Sequence, residues 1–307
     1  MPSQPRPLDR NAILLVLFLC ASWGLNQVFA KVALVDMGPL TQCAIRSILG
    51  SFVVAGYAWW GQPDVWRRTG DFWAGIVVGL LFTLEFVLLF LAIEYTSAGR
   101  ATLFVFTAPF FVALGAILFL PQERLRLTQW LGLALAFCGV ALGLVGRDGA
   151  AGLFGDALAL ASGAAWGATT IAIKATSLRA SPPTKVLLYQ IVVSAIVSPI
   201  FALLAGEALP THISGLTALS LALQVIWVVG ISYGLWFMLL KRYRVGELSA
   251  FTFLTPVSGV IAGHFLLGDP LTVGLIGALV LVAAGILLVN WPLPQSAIRR
   301  SSLPAKS

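Results

Sequence analysis

Ten apolar stretches, each about as long as a bilayer is thick, follow one another along this chain. An α-helix needs about 20 apolar residues to cross a hydrocarbon core of about 30 Å. A membrane strand would be shorter and would alternate in polarity. We therefore predict an all-α integral membrane protein with ten transmembrane helices, called spans 1 to 10 below. Their predicted limits are 11–34, 41–60, 72–93, 98–120, 128–146, 153–174, 184–206, 218–240, 246–267 and 272–291.

Composition supports a lipid environment. The chain is 59% hydrophobic and 10% charged, with a mean hydropathy of +0.95, whereas a soluble domain has about 25% charged residues. Arg6 and Arg10 precede an apolar run that continues to Leu34, which is too long for a signal peptide core of about 7–15 residues. This run is therefore predicted to be span 1, and the loops leave no room for a soluble domain.

The basic residues predict how the chain is oriented. If the N-terminus is placed inside the cell, all but four of the 19 Lys and Arg residues fall on the inner side. Lys31, Arg100 and Arg147 fall on the outer side, and Arg46 lies within span 2. Cytoplasmic loops are enriched in Lys and Arg, so both termini are predicted to be cytoplasmic. The net charge of +7 then reflects loops beside the membrane, and no nucleic-acid partner is expected.

Neither cysteines nor histidines indicate a cofactor. Cys20, Cys43 and Cys138 lie in apolar stretches without a CxxC pattern, so neither a disulfide framework nor a zinc site is expected. His212 and His264 are the only histidines, which argues against a hydrolytic metal centre. The sequence therefore predicts no cofactor and no metal.

Two motifs occur twice. "WGLNQVFAK" at 23–31 recurs as "WGATTIAIK" at 166–174, and "GRATLFVFTAP" at 99–109 recurs as "GELSAFTFLTP" at 246–256. We interpret the chain as two copies of a five-helix unit. Because five is odd, the second copy enters the membrane inverted. The predicted divisions are a cytoplasmic N-terminus 1–10, a first repeat 11–146, a linker 147–152, a second repeat 153–291 and a cytoplasmic tail 292–307.

This duplicated pattern resembles the EamA-type family of the drug/metabolite transporter superfamily over residues 11–291. The resemblance implies a ten-helix exporter of amino acids or other small metabolites, with a central cavity lined by both repeats and with spans 5 and 10 at the periphery. Pro270 is a departure, since the first repeat has Arg124 there. The matching positions are Trp23-Gly24 and Trp166-Gly167, Pro109 and Pro256, Glu123–Leu125 leading to Gly132, and Asp269–Leu271 leading to Gly277.

Glu85 is an acidic residue inside the apolar stretch "LLFTLEFVLLFLAIEY", roughly 13 Å from the outer end of span 3. An acidic group at the centre of a membrane helix costs about 2.5–3.5 kcal/mol, so Glu85 should face protein or water. One interpretation is a carboxylate that binds a proton or a cation in the transport path. The alternative is a structural ion pair with Arg46, which lies at a similar depth. Span 8 has Ser232 at the equivalent place, beside Tyr233 and Trp236, so Glu85 would couple protons alone.

The other candidate substrate-binding residues are polar or aromatic groups at matching places in the two repeats. Polar side chains in membrane helices either bind a substrate or form hydrogen bonds between helices. The aromatic pair, Trp23 and Trp166, either lines the mouths of the cavity or packs beside glycine. The duplicated prolines break helical hydrogen bonds and are predicted hinges, with simple curvature as the alternative. These candidates are Asn26, Gln27, Thr169 and Thr170, then Trp23 and Trp166, then Tyr233 and Trp236, and the hinges Pro109 and Pro256.

Together these features predict a secondary active transporter in the bacterial inner membrane. It would export a small metabolite by alternating access, driven by a proton gradient or by exchange. A homodimer is left open. Two alternatives are a non-transporting membrane partner or channel subunit, and a lipid enzyme embedded in the membrane. An enzyme would need clustered acidic or histidine groups at one membrane face, but the acidic residues are scattered, so no catalytic residues are assigned.

Overall fold

The computed structural model describes residues 8–67, 70–119, 127–144, 150–243, 248 and 251–289, and its regular elements are helices. The tail 292–307 and the Glu123–Leu125 motif lie outside the described residues. The α-helices are α1 Arg10–Ala33, α2 Pro39–Gly61, α3 Phe72–Tyr95, α4 Ala98–Val105, α5 Ala108–Phe119, α6 Leu127–Leu144, α7 Ala150–Ala175, α8 Pro183–Leu204, α9 Gly215–Ala222, α10 Tyr233–Arg242, α11 Leu254–Leu267 and α12 Val273–Val289.

Seven of the described helices are long and apolar enough to cross a membrane. Three shorter apolar helices, Leu127–Gly143, Leu254–Leu267 and Val273–Leu288, accompany them. The prediction of an all-helical membrane protein is confirmed, while the count of ten spans stays a prediction. The seven are Arg10–Ala33, Pro39–Gly61, Phe72–Tyr95, Ala98–Phe119, Gly152–Ala175, Pro183–Leu204 and Gly215–Trp236.

Helices from the two predicted repeats are interleaved. Helix α2 packs against α8, α4 against α11, and α6 against α12, while α1 lies against α11 and α7 against α3. Glycines permit these close approaches, as small residues do in membrane bundles. A Cβ at Gly285 of α12 would lie 2.7 Å from the carbonyl oxygen of Gly132, and one at Gly79 of α3 would lie 2.8 Å from that of Tyr189.

Span 4 is divided rather than continuous. Helix α4 ends at Val105 and α5 begins at Ala108, so the membrane-capable segment Ala98–Phe119, which matches the prediction over 98–120, contains a turn at residues 106–107. Pro109 is the second residue of α5, where its missing N–H and fixed φ are tolerated. The Thr107 hydroxyl donates to the carbonyl of Phe104 at 2.6 Å. Pro256 lies similarly early in α11, after the 3-10 turn Phe251–Phe253.

Span 8 contains a π-helix over Leu223–Ser232, between α9 and α10. Wider turns of this kind are rare and occur frequently at functional sites. The Ser232 hydroxyl donates to the carbonyl of Val228 at 2.6 Å. Ser232 and Tyr233 thus stand where the wide turn closes back into a regular α-helix.

Polar contacts define the two ends of the bundle. At the Lys31 end, predicted to be outer, the Lys31 ammonium donates to the carbonyls of Ile93 (2.5 Å) and Thr96 (2.7 Å). Lys31 therefore binds the last turn of α3, which is more specific than the snorkelling typical of such lysines. At the Asp71 end, predicted to be inner, Lys185 lies 3.1 Å from the Asp71 carboxylate.

Candidate functional site

Arg46 is the largest fully buried side chain in the described structure, with 1% of its surface exposed. It extends from α2 onto α3, where its guanidinium carbon lies 4.2 Å from the ring centroid of Phe86 and 5.8 Å from that of Phe90. Phe82, Phe86 and Phe90 recur every four residues, so they share one face of α3. Neighbouring rings are tilted against one another, with centroids 4.6 and 6.4 Å apart. This face gives Arg46 a cation–π surface.

Two nitrogen atoms of Arg46, Nε and Nη1, are open, meaning that they have no hydrogen-bond partner among the described residues. The ion pair with Glu85, one of the two interpretations of the sequence, is therefore not made through these atoms. The charge of Arg46 nevertheless acts on both Glu85 and the Tyr233 phenol, so the three side chains lie near one another. Arg46, Glu85 and Tyr233 form the central group of the site.

Glu85 is 6% exposed and faces the protein interior, as the cost of a carboxylate in lipid requires. The Ser162 hydroxyl of α7 donates to the backbone carbonyl of Glu85 at 2.8 Å. This bond fixes the depth of α3 against α7 beside the carboxylate. Sequence reasoning did not select Ser162, because one serine in an apolar helix carries no distinguishing pattern.

Trp23 joins α1 to span 8. Its indole N–H donates to the Ser232 hydroxyl at 3.0 Å, and its ring meets Trp236 edge-on with centroids 5.4 Å apart. Ser232 was singled out only as the counterpart of Glu85, and it serves here as the acceptor for an indole. The structure thus brings Trp23, Trp236 and Tyr233 together, from two distant parts of the sequence.

Trp166 approaches the same region from α7. Its ring meets Phe106 edge-on at 5.3 Å. Trp23, Trp166 and Tyr233 all pack against the cluster that contains Phe86 and Phe106. The adjacent glycines serve close packing: a Cβ at Gly24 would lie 2.6 Å from the backbone nitrogen of Gly259, and one at Gly167 would lie 3.1 Å from that of Val112.

Asn26, Gln27, Thr169 and Thr170 bond within their own helices. The Asn26 amide donates to Gln27 at 3.2 Å, and the Thr169 and Thr170 hydroxyls donate to carbonyls one turn earlier, those of Ala165 and Trp166. These contacts are not the bonds between helices that we gave as the alternative to substrate binding. The side-chain oxygen of Asn26, Oδ1, has no hydrogen-bond partner among the described residues.

Two fully buried glutamines were not predicted. Both side-chain amide atoms of Gln42 on α2 and of Gln224 in the π-helix are open, and neither residue has any exposed surface. A buried amide without hydrogen bonds costs about 1–3 kcal/mol. The position of Gln42, four residues before Arg46, was a visible signal, because this spacing places two polar groups on one face of a helix.

A pocket of about 540 Å³ opens at the Lys31 end of the bundle. It lies apart from Arg46 and Glu85, which are closed in by the aromatic side chains described above. Its polar groups include one ammonium and two carboxylates. The lining residues are Lys31, Leu34, Val35, Asp36, Met37, Gly38, Pro39 and Glu94. No group of three His, Cys, Asp or Glu residues that could hold a metal occurs in the described ranges.

A model of the EamA-like transporter family matches residues 10–145 and again residues 153–291. The chain belongs to the EamA-like transporter family. It is therefore a multi-pass membrane transporter with a small-molecule substrate, and not an enzyme. The resemblance recognised from Trp23-Gly24, Pro109 and their counterparts is confirmed.

Relatives that are named as transporters align with this chain over nearly their full length. An uncharacterized transporter of Bacillus subtilis, YvbV, is 28% identical and covers 92% of each chain. Probable amino-acid metabolite efflux pumps of Salmonella typhimurium and Escherichia coli are each 30% identical, covering 91% and 86% of this chain and 94% and 90% of their own. A crystal structure with 20% identity matches with a TM-score of 0.64, over 96% of this chain and 100% of that one, which shows a shared fold.

Proposed function

We propose that this EamA-like transporter is a secondary active exporter of a small carboxylate-bearing metabolite, working by alternating access in the bacterial inner membrane. The observation that carries the proposal is Arg46, a buried guanidinium with two open N–H groups beside Glu85 and Tyr233. A charge without hydrogen bonds in a low-dielectric site is costly. A ligand that completes those bonds recovers part of that cost.

Arg46 is the proposed receptor for the carboxylate of the substrate. Guanidinium and carboxylate groups form paired, charge-assisted hydrogen bonds, and Nε and Nη1 are the atoms that remain open for them. The flat guanidinium is already oriented by Phe86 and Phe90. Little side-chain freedom is therefore lost when the ligand binds.

Glu85 is the proposed coupling group. Without substrate, its side chain lies within the electrostatic influence of Arg46. When the carboxylate of the substrate binds Arg46, Glu85 becomes available to take up a proton or the ammonium group of a zwitterion. Ionisable groups inside membrane spans mark such substrate and proton paths. Exchange of one substrate for another would use the same site without net proton movement.

The surrounding residues are proposed to select the rest of the molecule. Trp23, Trp166 and Tyr233, with Trp236 behind Trp23, offer aromatic surface to an apolar substituent. The open carbonyl oxygen of Asn26 can accept a hydrogen bond from an ammonium group. The remaining polar candidates, Gln27, Thr169 and Thr170, can still accept hydrogen bonds through their oxygen atoms.

The proposed architecture is ten spans in two inverted five-helix repeats, divided as predicted from the sequence and with both termini cytoplasmic. Two observations support it: the family matches the chain twice, and spans with the same place in each repeat pack together, as α2 with α8 and α6 with α12. Pro109 and Pro256 lie early in α5 and α11, next to irregular turns. They are the proposed hinges about which the repeats move.

Two relatives are named amino-acid metabolite efflux pumps, which favours amino acids and their derivatives as the substrate class. The test uses purified protein in sealed liposomes loaded with a pH dye, to which a panel of amino acids is added. A substrate-dependent change of internal pH is expected for the native protein and is expected to vanish in Glu85→Gln.

Asp64→Asn is the matched control for that experiment. Asp64 is an exposed acidic residue in the turn Pro63–Trp66, outside the spans, so its replacement should leave the signal unchanged. Equal signals in the native protein and in Glu85→Gln would remove Glu85 from the coupling path. Uptake of labelled substrate without any pH change would favour facilitated transport or exchange.

A further inference from the structure

The amino end of α2 already holds a carboxylate. The backbone N–H groups of Leu40 and Thr41 donate to the carboxylate of Glu207 at 3.1 and 2.7 Å. Glu207 comes from the segment after α8, in the opposite predicted repeat. Gly38 allows this approach, because a Cβ there would overlap the Glu207 side chain. The start of this 23-residue helix thus provides the geometry and the positive dipole end that an anion needs.

A reciprocal contact lies beside it. Asp36, in the loop before α2, accepts hydrogen bonds from the Ser214 backbone (2.8 Å) and hydroxyl (2.5 Å) at the start of α9. The hydrogen bonds from Ser214 lower the pKa of Asp36 to about 2. Each predicted repeat therefore places one carboxylate on a helix start of the other. These contacts tie the two repeats together at the Lys31 end.

The Glu207 contact borders both the pocket and the open polar groups of α2. Gly38 and Pro39 line the 540 Å³ pocket. Pro39, Gln42 and Arg46 follow at the i, i+3, i+7 spacing, which places them on one helix face. Gln42, fully buried with an open amide, therefore stands between the pocket and Arg46. An open amide at this point can donate to a carboxylate that travels along α2.

We propose that the amino end of α2, with Gln42, is a second binding position for the carboxylate of the exported molecule, held in this structure by Glu207 as a tethered substitute. This inference rests on the proposed function. A carboxylate leaving Arg46 replaces Glu207 at Leu40 and Thr41. The segment that carries Glu207 is then released, and the Lys31 end opens.

Cys43 is a native reporter for this opening. It follows Gln42, has no exposed surface, and its sulfur lies 3.7 Å from the Ser198 hydroxyl of α8. Cys20 is also buried, whereas Cys138 is exposed, so Cys20→Ser and Cys138→Ser would leave Cys43 as the only thiol. The rate of its reaction with N-ethylmaleimide then measures how often α2 and α8 separate.

Benzoate is the probe, and benzamide, of the same shape without the charge, is its control. Benzoate should raise the Cys43 labelling rate severalfold, and benzamide should not. In Glu207→Gln the rate should be high without benzoate and change little when it is added. In Gln42→Leu the rate should stay low and should not respond. In Asp36→Asn the basal rate should rise while the response to benzoate remains.

The proposal would be overturned if benzoate and benzamide changed the Cys43 labelling rate equally. It would also be overturned if Cys43 in Glu207→Gln reacted at the rate of the native protein. If Glu207→Gln does not fold, Glu207→Asp is the second variant: its shorter side chain should raise the basal rate and lower the benzoate concentration required. An unchanged rate and an unchanged benzoate dependence would count equally against the idea. Labelling requires no transport, so a response to benzoate without substrate flux would overturn the exporter function alone.

Discussion

Among the described residues, two arginines, Arg46 and Arg100, are buried, and their surroundings differ sharply. Arg100, on α4, is 8% exposed, and its Nε lies 3.1 Å from both carboxylate oxygens of Asp156 on α7. Its Nη2 donates to Asp156 and to the carbonyl of Gly143. Arg46 is equally deep in protein, yet Nε and Nη1 are open and its guanidinium rests on phenylalanine rings.

The difference separates an arginine that holds the fold together from the one that we propose as the receptor for the substrate. Asp156 accepts a further hydrogen bond from Thr96 at 2.6 Å. Arg100 and Asp156 together thus join four segments, α4, α6, α7 and the end of α3, and leave little for a substrate. Arg46 has an acidic neighbour, Glu85, but no described residue accepts a hydrogen bond from its Nε or Nη1. Three substitutions, at Asp156, Arg46 and Tyr233, test this comparison, and two further predictions concern Trp23 and Asp36.

Asp156→Ala should have the largest effect. It would leave Arg100 buried without its carboxylate, and breaking a buried pair in this way costs about 3–5 kcal/mol. We expect a large drop in the free energy of unfolding, measured in detergent micelles. If Asp156→Ala unfolds at the same denaturant concentration as the native protein, the ion pair of Arg100 does not stabilise the fold.

Arg46→Met should separate folding from transport. Methionine fills much of the same volume and removes a charge that is poorly paired, so stability should be retained. Transport should fall about a hundredfold, since losing a buried charged contact costs roughly 2–5 kcal/mol. Unfolding and transport should both be measured for Asp156→Ala and for Arg46→Met. If Arg46→Met is strongly destabilised, Arg46 is structural in the same way as Arg100.

Tyr233→Phe removes only the phenol oxygen that interacts with Arg46. The loss of a polar contact costs about 1 kcal/mol, so the substrate concentration for half-maximal transport should rise roughly fivefold. Folding should be unaffected. An unaltered concentration dependence would place Tyr233 outside the binding site.

Trp23→Phe keeps an aromatic ring but loses the indole hydrogen bond to Ser232. The expected loss of stability is about 1 kcal/mol, measured by unfolding in detergent. Ser232→Ala should cost a similar amount, and the double variant should cost less than the sum of the two. Simple additivity would indicate that the bond contributes nothing.

Changes of pH around neutrality should not alter the contact between Asp36 and Ser214. The folded pKa of Asp36 is depressed to about 2 by Ser214, so the contact is fully present above its unfolded pKa of about 3.9 and is lost only as pH falls through about 2. The Cys43 labelling rate, divided by the rate for a free thiol at the same pH because only the thiolate reacts, should therefore be flat between pH 5 and 8. Labelling that rises toward pH 5 would mean that another group controls the Lys31 end.

The sequence was most informative about residues whose types are unusual in lipid. The apolar stretches predicted the helices, and the charge of Glu85 and Arg46 singled both out, because charged groups within spans are rare. The division of span 4 was only implicit in Pro109, since a proline permits a break without fixing its position. The π-helix in span 8 and the partners of Arg100 depend on helix packing, which a single sequence does not show. Arg100 was therefore counted only as an outer-side charge at the start of span 4, although it is buried.

The most direct test of the account is a comparison of ligand affinities at Arg46. Binding of phenylalanine and of phenylalaninamide, which lacks the carboxylate, would be measured by calorimetry on the native protein and on Arg46→Met. The account predicts that the native protein prefers the acid at least tenfold and that Arg46→Met loses this preference, binding both ligands with similar affinity. A preference for the acid that survives in Arg46→Met would show that the carboxylate binds elsewhere, and the central role of Arg46 would be wrong.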